Sequence, residues 1–182
     1  MANESWQVDG AHSSVNLSVR HMVISKVRGH FAKWNAKLAL DTANLTRSSV
    51  EVAIDAASID TGVGDRDNHL RSPDFLDAQK YPSITYKSRR VEALSPERLR
   101  VVGDLTIRDV KREVVLDVEY GGQGKDPWGN QRVGFTATAS INRKDFGLTW
   151  NQALETGGVL VADRVDIEIE LQAIQQAVAK VG

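Results

Sequence analysis

The sequence predicts an all-β protein: an antiparallel sheet of about eight strands with one apolar face, interrupted by one short helical excursion near residues 64–80. Two observations carry this. Most of the chain alternates apolar and polar residues with a period of two, the signature of strands buried on one side. The alternating runs are joined by turn-like connections, except between Ala56 and Pro82, where alternation stops and helix signals appear.

The first clear strand runs from Ser14 to Met22: Val15, Leu17, Val19 and His21 share one face, and Ser14, Asn16, Ser18 and Arg20 the other. A single long strand is expected around Val27 to Leu40, then a connection over Asp41 to Thr46 and a strand carrying Val50, Val52 and Ile54. In the exception, Ser72-Pro73-Asp74 sets a capping hydroxyl before a proline suited to the first helical position and an acid in the first turn. A strand around Ser83 to Val91 follows, then Leu99, Val101, Leu105 and Ile107 with Gly103 among them, then Val114, Leu116, Val118 and Tyr120. Gly121 to Asn130, rich in glycine and holding Pro127, reads as a long hairpin loop. Phe135, Ala137, Ala139 and Ile141 form the next strand and Val165, Ile167, Ile169 and Leu171 the last. Residues 173–182 read as a tail, either frayed helix or disordered.

Such a sheet closes into an up-and-down barrel or folds into a two-sheet sandwich, and pattern alone does not choose. Small inward residues at Gly103, Ala137 and Ala139 favour an interior with a cavity. The alternative is that they face large residues in a packed core.

At 182 residues the chain is expected to be a single domain. Lys+Arg 23 against Asp+Glu 24 leaves a formal charge of −1 with no long basic run, so counterion release cannot supply the bulk of an affinity for a polyphosphate unless the charges are strongly segregated, and no nucleic acid is expected as a partner. The absence of cysteine excludes disulfides, thiolate zinc sites and a thiol nucleophile. No apolar stretch approaches the ~20 residues needed to cross a bilayer. The first residues, Met1 to Gln7, lack the basic and apolar regions of an export signal, and cytoplasm is the expected compartment.

His21 is the most informative single residue, an imidazole on an apolar face. It reads as a hydrogen-bonded core histidine or as a polar anchor for a ligand head group. His12 reads as an organiser of the turn after Asp9-Gly10. The ionisable run Asp65 to Arg71 fails the EF-hand calcium template, because Leu70 and Leu76 stand where glycine and glutamate are required. Local helical pairs with Leu70 turned inward explain it better, and no metal site is expected. There is no G-x-S-x-G elbow, no phosphate-cradling glycine loop between a parallel strand and a helix, and no inward carboxylate pair. No catalytic machinery is recognisable, and an enzyme is not expected.

Several motifs in series carry a resemblance. They are Asp9-Gly10-Ala11-His12-Ser13-Ser14-Val15 with His21, Val27-Arg28-Gly29-His30-Phe31, and Asp67-Asn68-His69-Leu70-Arg71-Ser72-Pro73-Asp74-Phe75 with Tyr81-Pro82. The second half continues with Gly103-Asp104-Leu105-Thr106-Ile107, Gly134-Phe135-Thr136-Ala137, Arg143-Lys144-Asp145-Phe146-Gly147-Leu148 with Trp150-Asn151, and Val165-Asp166-Ile167-Glu168-Ile169. Each is weak alone, but in this order, over about Trp6 to Leu171, the chain resembles the YceI-like family. The resemblance implies an extended lipocalin-like barrel of eight antiparallel strands. It also implies an apolar tunnel for a polyisoprenoid or similar long-chain amphiphile, such as an isoprenoid quinone, a polyprenyl or a fatty-acid derivative. It implies pairing as homodimers and no cofactor beyond the bound lipid. Family members are often periplasmic, an association not carried over to a sequence without a visible export signal.

Burying the tail of such a lipid at about 25 cal/mol per Å² would supply the affinity, and a few polar groups the orientation. On that implication Leu17, Val19, Phe31, Val101, Phe135, Ala137, Ile141, Val165, Ile167 and Ile169 line the tunnel. His21 meets the head group, and Arg71 stands at the opening as a second contact. The competing readings are a packed interaction module without ligand and an enzyme acting on a small amphiphile.

Overall fold

The structure is a computed structural model and describes residues 4–22, 24–155 and 158–176. Its strands are β1 (Glu4–Val8), β2 (Ser14–His21), β3 (Ser25–Phe31), β4 (Trp34–Leu40), β5 (Ser49–Asp55), β6 (Ile59–Asp60), β7 (Ser83–Ala93), β8 (Arg98–Ile107), β9 (Val110–Lys125), β10 (Gln131–Asn142) and β11 (Val161–Gln175). One α-helix, α1 (Gly64–Arg71), lies between β6 and β7. Hydrogen bonding runs β1-β4-β5-β7-β8-β9-β10-β11 and returns from β11 to β1, which closes an eight-stranded antiparallel barrel. Closure leaves the ring without free edges.

β2, β3 and β6 branch from this ring, because β11 is long enough to serve two partners. Its end, Ala173 to Gln175, pairs with β1, and its earlier part, Val161 to Glu170, pairs with β2. The kink between β1 and β2 is built by Asp9, whose carboxylate accepts the Ala11 amide at 3.0 Å and lies 2.8 Å from His12 Nδ1. This is the turn-organising role expected of His12.

Four expectations need correction. The strand around Val27 to Leu40 is two strands broken at Ala32-Lys33. Val27, Gly29 and Phe31 are the inward set before the break and Trp34, Ala36, Leu38 and Leu40 after it. A parity switch of that kind needs a break, since successive strand side chains alternate faces. The glycine run Gly121 to Gly124 is strand rather than loop. Gly134 pairs with Gly122 and Phe135 with Tyr120, so Gly121 is the extra residue of a bulge, and Gly122 takes φ 96°, open to glycine without strain.

The turn proper is Asp126 to Asn130, where the Asp126 carboxylate accepts the Trp128 and Asn130 amides. The helix ends at Arg71 instead of running to Lys80. Ser72, in extended conformation before Pro73, stops it, and its hydroxyl donates to the His69 carbonyl at 2.6 Å. Ser72-Pro73 is thus a helix stop, not a helix start. Finally, β11 continues to Gln175 with Ala173 fully buried, so the expected tail begins later, and residues 177–182 lie outside the described residues.

At one end of the barrel, where β1 meets β4 and β11, Trp6, Leu38, Leu40, Val133, Leu171 and Ala173 pack into a buried cluster. The opposite end carries the β2–β3 hairpin, α1 and the segment after β10, and the larger apolar cluster lies between.

Candidate functional site

The barrel interior holds a cavity of about 390 Å³, within the usual range for small-molecule sites. Leu17, Val19, His21, Phe31, Val101, Phe135, Ala137, Ile141, Val165, Ile167 and Ile169 all line it, at the positions that alternation puts inward. Leu17, Val19, Val165, Ile167 and Ile169 are only half-buried although they face inward. Their remaining accessible surface is the cavity wall, so this side is hollow where a packed interior would cover them.

Arg71 is the exception. Its guanidinium donates to the carbonyls of Ala57 at 2.7 Å and Ile59 at 3.1 Å and to Asn68, and it is not among the lining residues. It fastens α1 to the chain before it instead of standing at an opening.

The small inward residues divide. Ala137 lines the cavity, but Ala139 does not, and the space beside Gly103 is filled by a neighbour. A Cβ at Gly103 would lie 2.5 Å from the Lys87 carbonyl and 2.7 Å from the Tyr86 ring. Here a small residue faces a large one. The Tyr86 hydroxyl donates to the Val114 carbonyl at 3.0 Å, and burial pushes its phenol above the ordinary value.

Sequence reasoning did not place at the cavity the polar residues of its hairpin end, Arg20, Thr61, Arg66, His69 and Arg143, or the aromatic Trp150. Arg143, 4% exposed, donates to the carbonyls of Leu148, Trp150, Ala162 and Val161 and ties the segment after β10 to the start of β11. Arg66 donates to the Thr61 hydroxyl and carbonyl. Asp67 is buried; desolvation alone would raise its pKa, but hydrogen bonds from the Thr61 hydroxyl and amide, aided by Arg71 and Arg66, outweigh it and lower it. His69 Nε2 lies 2.9 Å from Asp74, and its ring packs edge-on against Trp150 and Phe75 at 4.6 and 5.0 Å. Of the helical pairs expected over Asp65 to Arg71, Arg71 acts on Asp67 one turn away, whereas His69 pairs with Asp74 beyond the helix; Leu70 lines the cavity as expected.

His21, like Arg20, differs from the rest. Among the described residues its ring makes no hydrogen bond, although it lines the cavity. The one polar group that alternation placed inward is therefore free to meet a ligand. Chemically the site can enclose an apolar chain and offer hydrogen bonds at one end.

The YceI-like domain model matches residues 6–173. The chain belongs to the YceI-like family. A UPF0312 protein of Vibrio cholerae is 38% identical over 167 residues, 92% of this chain and 84% of that protein. The crystal structure of Burkholderia cenocepacia BcnA superposes with a TM-score of 0.80 at 27% identity, covering 91% of this chain and 99% of that one. A polyisoprenoid binding domain from Saccharophagus degradans superposes at 0.69 with 14% identity, covering 95% and 99%, and shares the fold. The lipocalin-like barrel implied by the sequence motifs is thus the fold of this YceI-like chain.

Proposed function

We propose that this YceI-like barrel binds a polyisoprenoid or similar long-chain amphiphile, and sequesters or carries it. The observation that carries the reading is the cavity itself: a continuous space walled by aliphatic and aromatic side chains, with polar groups gathered at one end. The description of the Saccharophagus degradans neighbour as polyisoprenoid-binding supports it at the level of ligand class. Affinity comes from the apolar tail and orientation from His21. Arg143 and Tyr86 are engaged with backbone carbonyls, which favours binding over turnover.

The test is mass spectrometry of the organic extract, beside native mass spectrometry of the purified protein before and after incubation with a polyprenol. A stoichiometric amphiphile is expected. A protein that stays empty after incubation overturns the proposal and supports a packed module. Leu17→Glu should abolish retention in a folded barrel, whereas His21→Ala should weaken it without emptying the cavity. Loss of a turnover by His21→Ala with binding kept would instead establish an enzyme. Homodimerisation, part of the same proposal, is read from the native spectra.

A further inference from the structure

Large apolar side chains left exposed gather at the end of the barrel that carries His21. Ile24 is 83% exposed and Met22 42%, both at the tip of the β2–β3 hairpin, and Val159 is 45% exposed. The Met22 amide donates to the Leu160 carbonyl at 2.9 Å, so the tip and the Val159 segment are adjacent, and Leu160 and Val161 already line the cavity. The exposed patch is therefore continuous with the cavity wall. Leu94 and Trp128, also exposed, top separate turns at the opposite end.

The hairpin is also one-signed. Between Gly10 and Leu40 the sequence contains no Asp or Glu. Arg20 and Lys26 are cross-strand partners, Arg28 faces Ser18 two pairs further along, and all three basic residues are exposed on the same face. Like charges directly opposite one another destabilise a hairpin. None of the three makes an ion pair among the described residues, although Lys26 acts on Asp166 through space. Asp166, opposite Ser18 on β11, is already bound by Ser140 and Arg164, each at 2.8 Å. Asp163, nearer the tip in the β11 bulge beside Arg20, is engaged by Lys144 at 3.4 Å and Arg143 at 3.9 Å, and the remaining β11 acids, Glu168 and Glu170, lie further from the tip.

An apolar tip flanked by unneutralised basic residues, at the rim of an apolar cavity, has the chemistry of a surface that inserts into an anionic lipid leaflet. We propose that the β2–β3 hairpin docks this end of the barrel on an anionic membrane surface, so that an apolar ligand passes between leaflet and cavity. The docking rests on the lipid-binding reading for its purpose but is measured without it.

The experiment is flotation of the full chain with vesicles of phosphatidylcholine and phosphatidylglycerol in equal parts, against pure phosphatidylcholine, at low and high salt. Wild type should float with the mixed vesicles and lose that association with salt or without phosphatidylglycerol. Ile24→Ser should weaken binding on the order of tenfold. Neutralising Lys26→Gln and Arg28→Gln should weaken it about fivefold per charge. Trp128→Ser, at the other end, should leave it unchanged. Both Ile24 and Trp128 are solvent-facing, and an unchanged urea midpoint confirms that the variants fold.

Three results would overturn docking: no flotation of wild type, undiminished flotation of Ile24→Ser, or loss in Trp128→Ser instead. A dimer in sedimentation that Ile24→Ser converts to monomer, without vesicle binding, would assign the tip to a second copy and equally overturn it. A lipid-loaded barrel that does not float sinks docking alone. An empty barrel that floats supports docking and sinks the carrier.

Discussion

At one end of the barrel Trp6, Leu38, Leu40, Val133, Leu171 and Ala173 close the interior with buried side chains. Along β2 and β11, Leu17, Val19, Val165, Ile167 and Ile169 point inward in the same alternating pattern, yet keep accessible surface on a cavity. The period is the same; what differs is the strand laid against β11. At its end β11 pairs with β1, which delivers an indole inward, and then the Asp9 to His12 turn hands the same edge to β2, whose inward residues are aliphatic until His21. A strand period therefore specifies which side chains face in, while the size of one residue decides whether that interior is filled.

The two regions differ most at Trp6, which is 4% exposed. Trp6→Ala should cost about 3–5 kcal/mol, the range for deleting a buried aromatic, in urea unfolding. Leu17→Ala, on the hollow side, should cost less than about 2 kcal/mol, because its truncation enlarges a space that already exists. Equal losses would mean that the two ends are packed alike. Next in size is Arg143→Met, expected to cost about 2–4 kcal/mol by leaving several buried carbonyls without a donor. Its effect should be local, with faster amide exchange at Leu148 and Leu160 and little change at Trp6.

Gly103 marks a filled spot behind Tyr86 in the cavity wall. Gly103→Ala should cost about 1–3 kcal/mol, since the added Cβ meets both the Lys87 carbonyl and the Tyr86 ring. Combined with Tyr86→Leu the loss should fall short of the sum, because one of the two clashes is removed. An additive result in the same unfolding measurement would show that the ring does not occupy that space.

The barrel walls and the cavity lining were legible because period-two alternation is a local property that survives folding. The break between β3 and β4 was missed, although the apolar set shifts parity there from Val27, Gly29 and Phe31 to Trp34, Ala36, Leu38 and Leu40, because no proline or glycine at Ala32-Lys33 marks the turn. Gly121 to Gly124 misled because glycine serves bulges as well as loops. Ser72-Pro73 misled because a hydroxyl before proline can end one helix as readily as start another, and only the run of backbone bonds decides which. Arg71 and Arg143 were beyond reach for a different reason: an arginine's partners are carbonyls brought together by tertiary structure, and no spacing along the chain encodes them.

The smallest expected effect separates the two ends by pH. At the closed end Arg132 lies 2.8 Å from both Asp9 and Asp126. Its hydrogen bonds are the chief cause holding each carboxyl at about 2, below the usual 3.8, with His12 adding to the effect at Asp9. The folded protein therefore takes up fewer protons than the unfolded chain between those values. The stability these groups contribute is fully present above about pH 4 and is lost as pH falls toward about 2. Arg132→Gln should bring both carboxyls back toward 3.8 and flatten the fall of the urea midpoint in that window, while leaving lipid retention at neutral pH unchanged. The network ties β1, β10 and the Asp126 turn together at the half-buried rim of this end, and none of its three residues lines the cavity. A change in retention at neutral pH would mean that the closed end and the hollow end are coupled through β10 and β11 and do not act as separate regions.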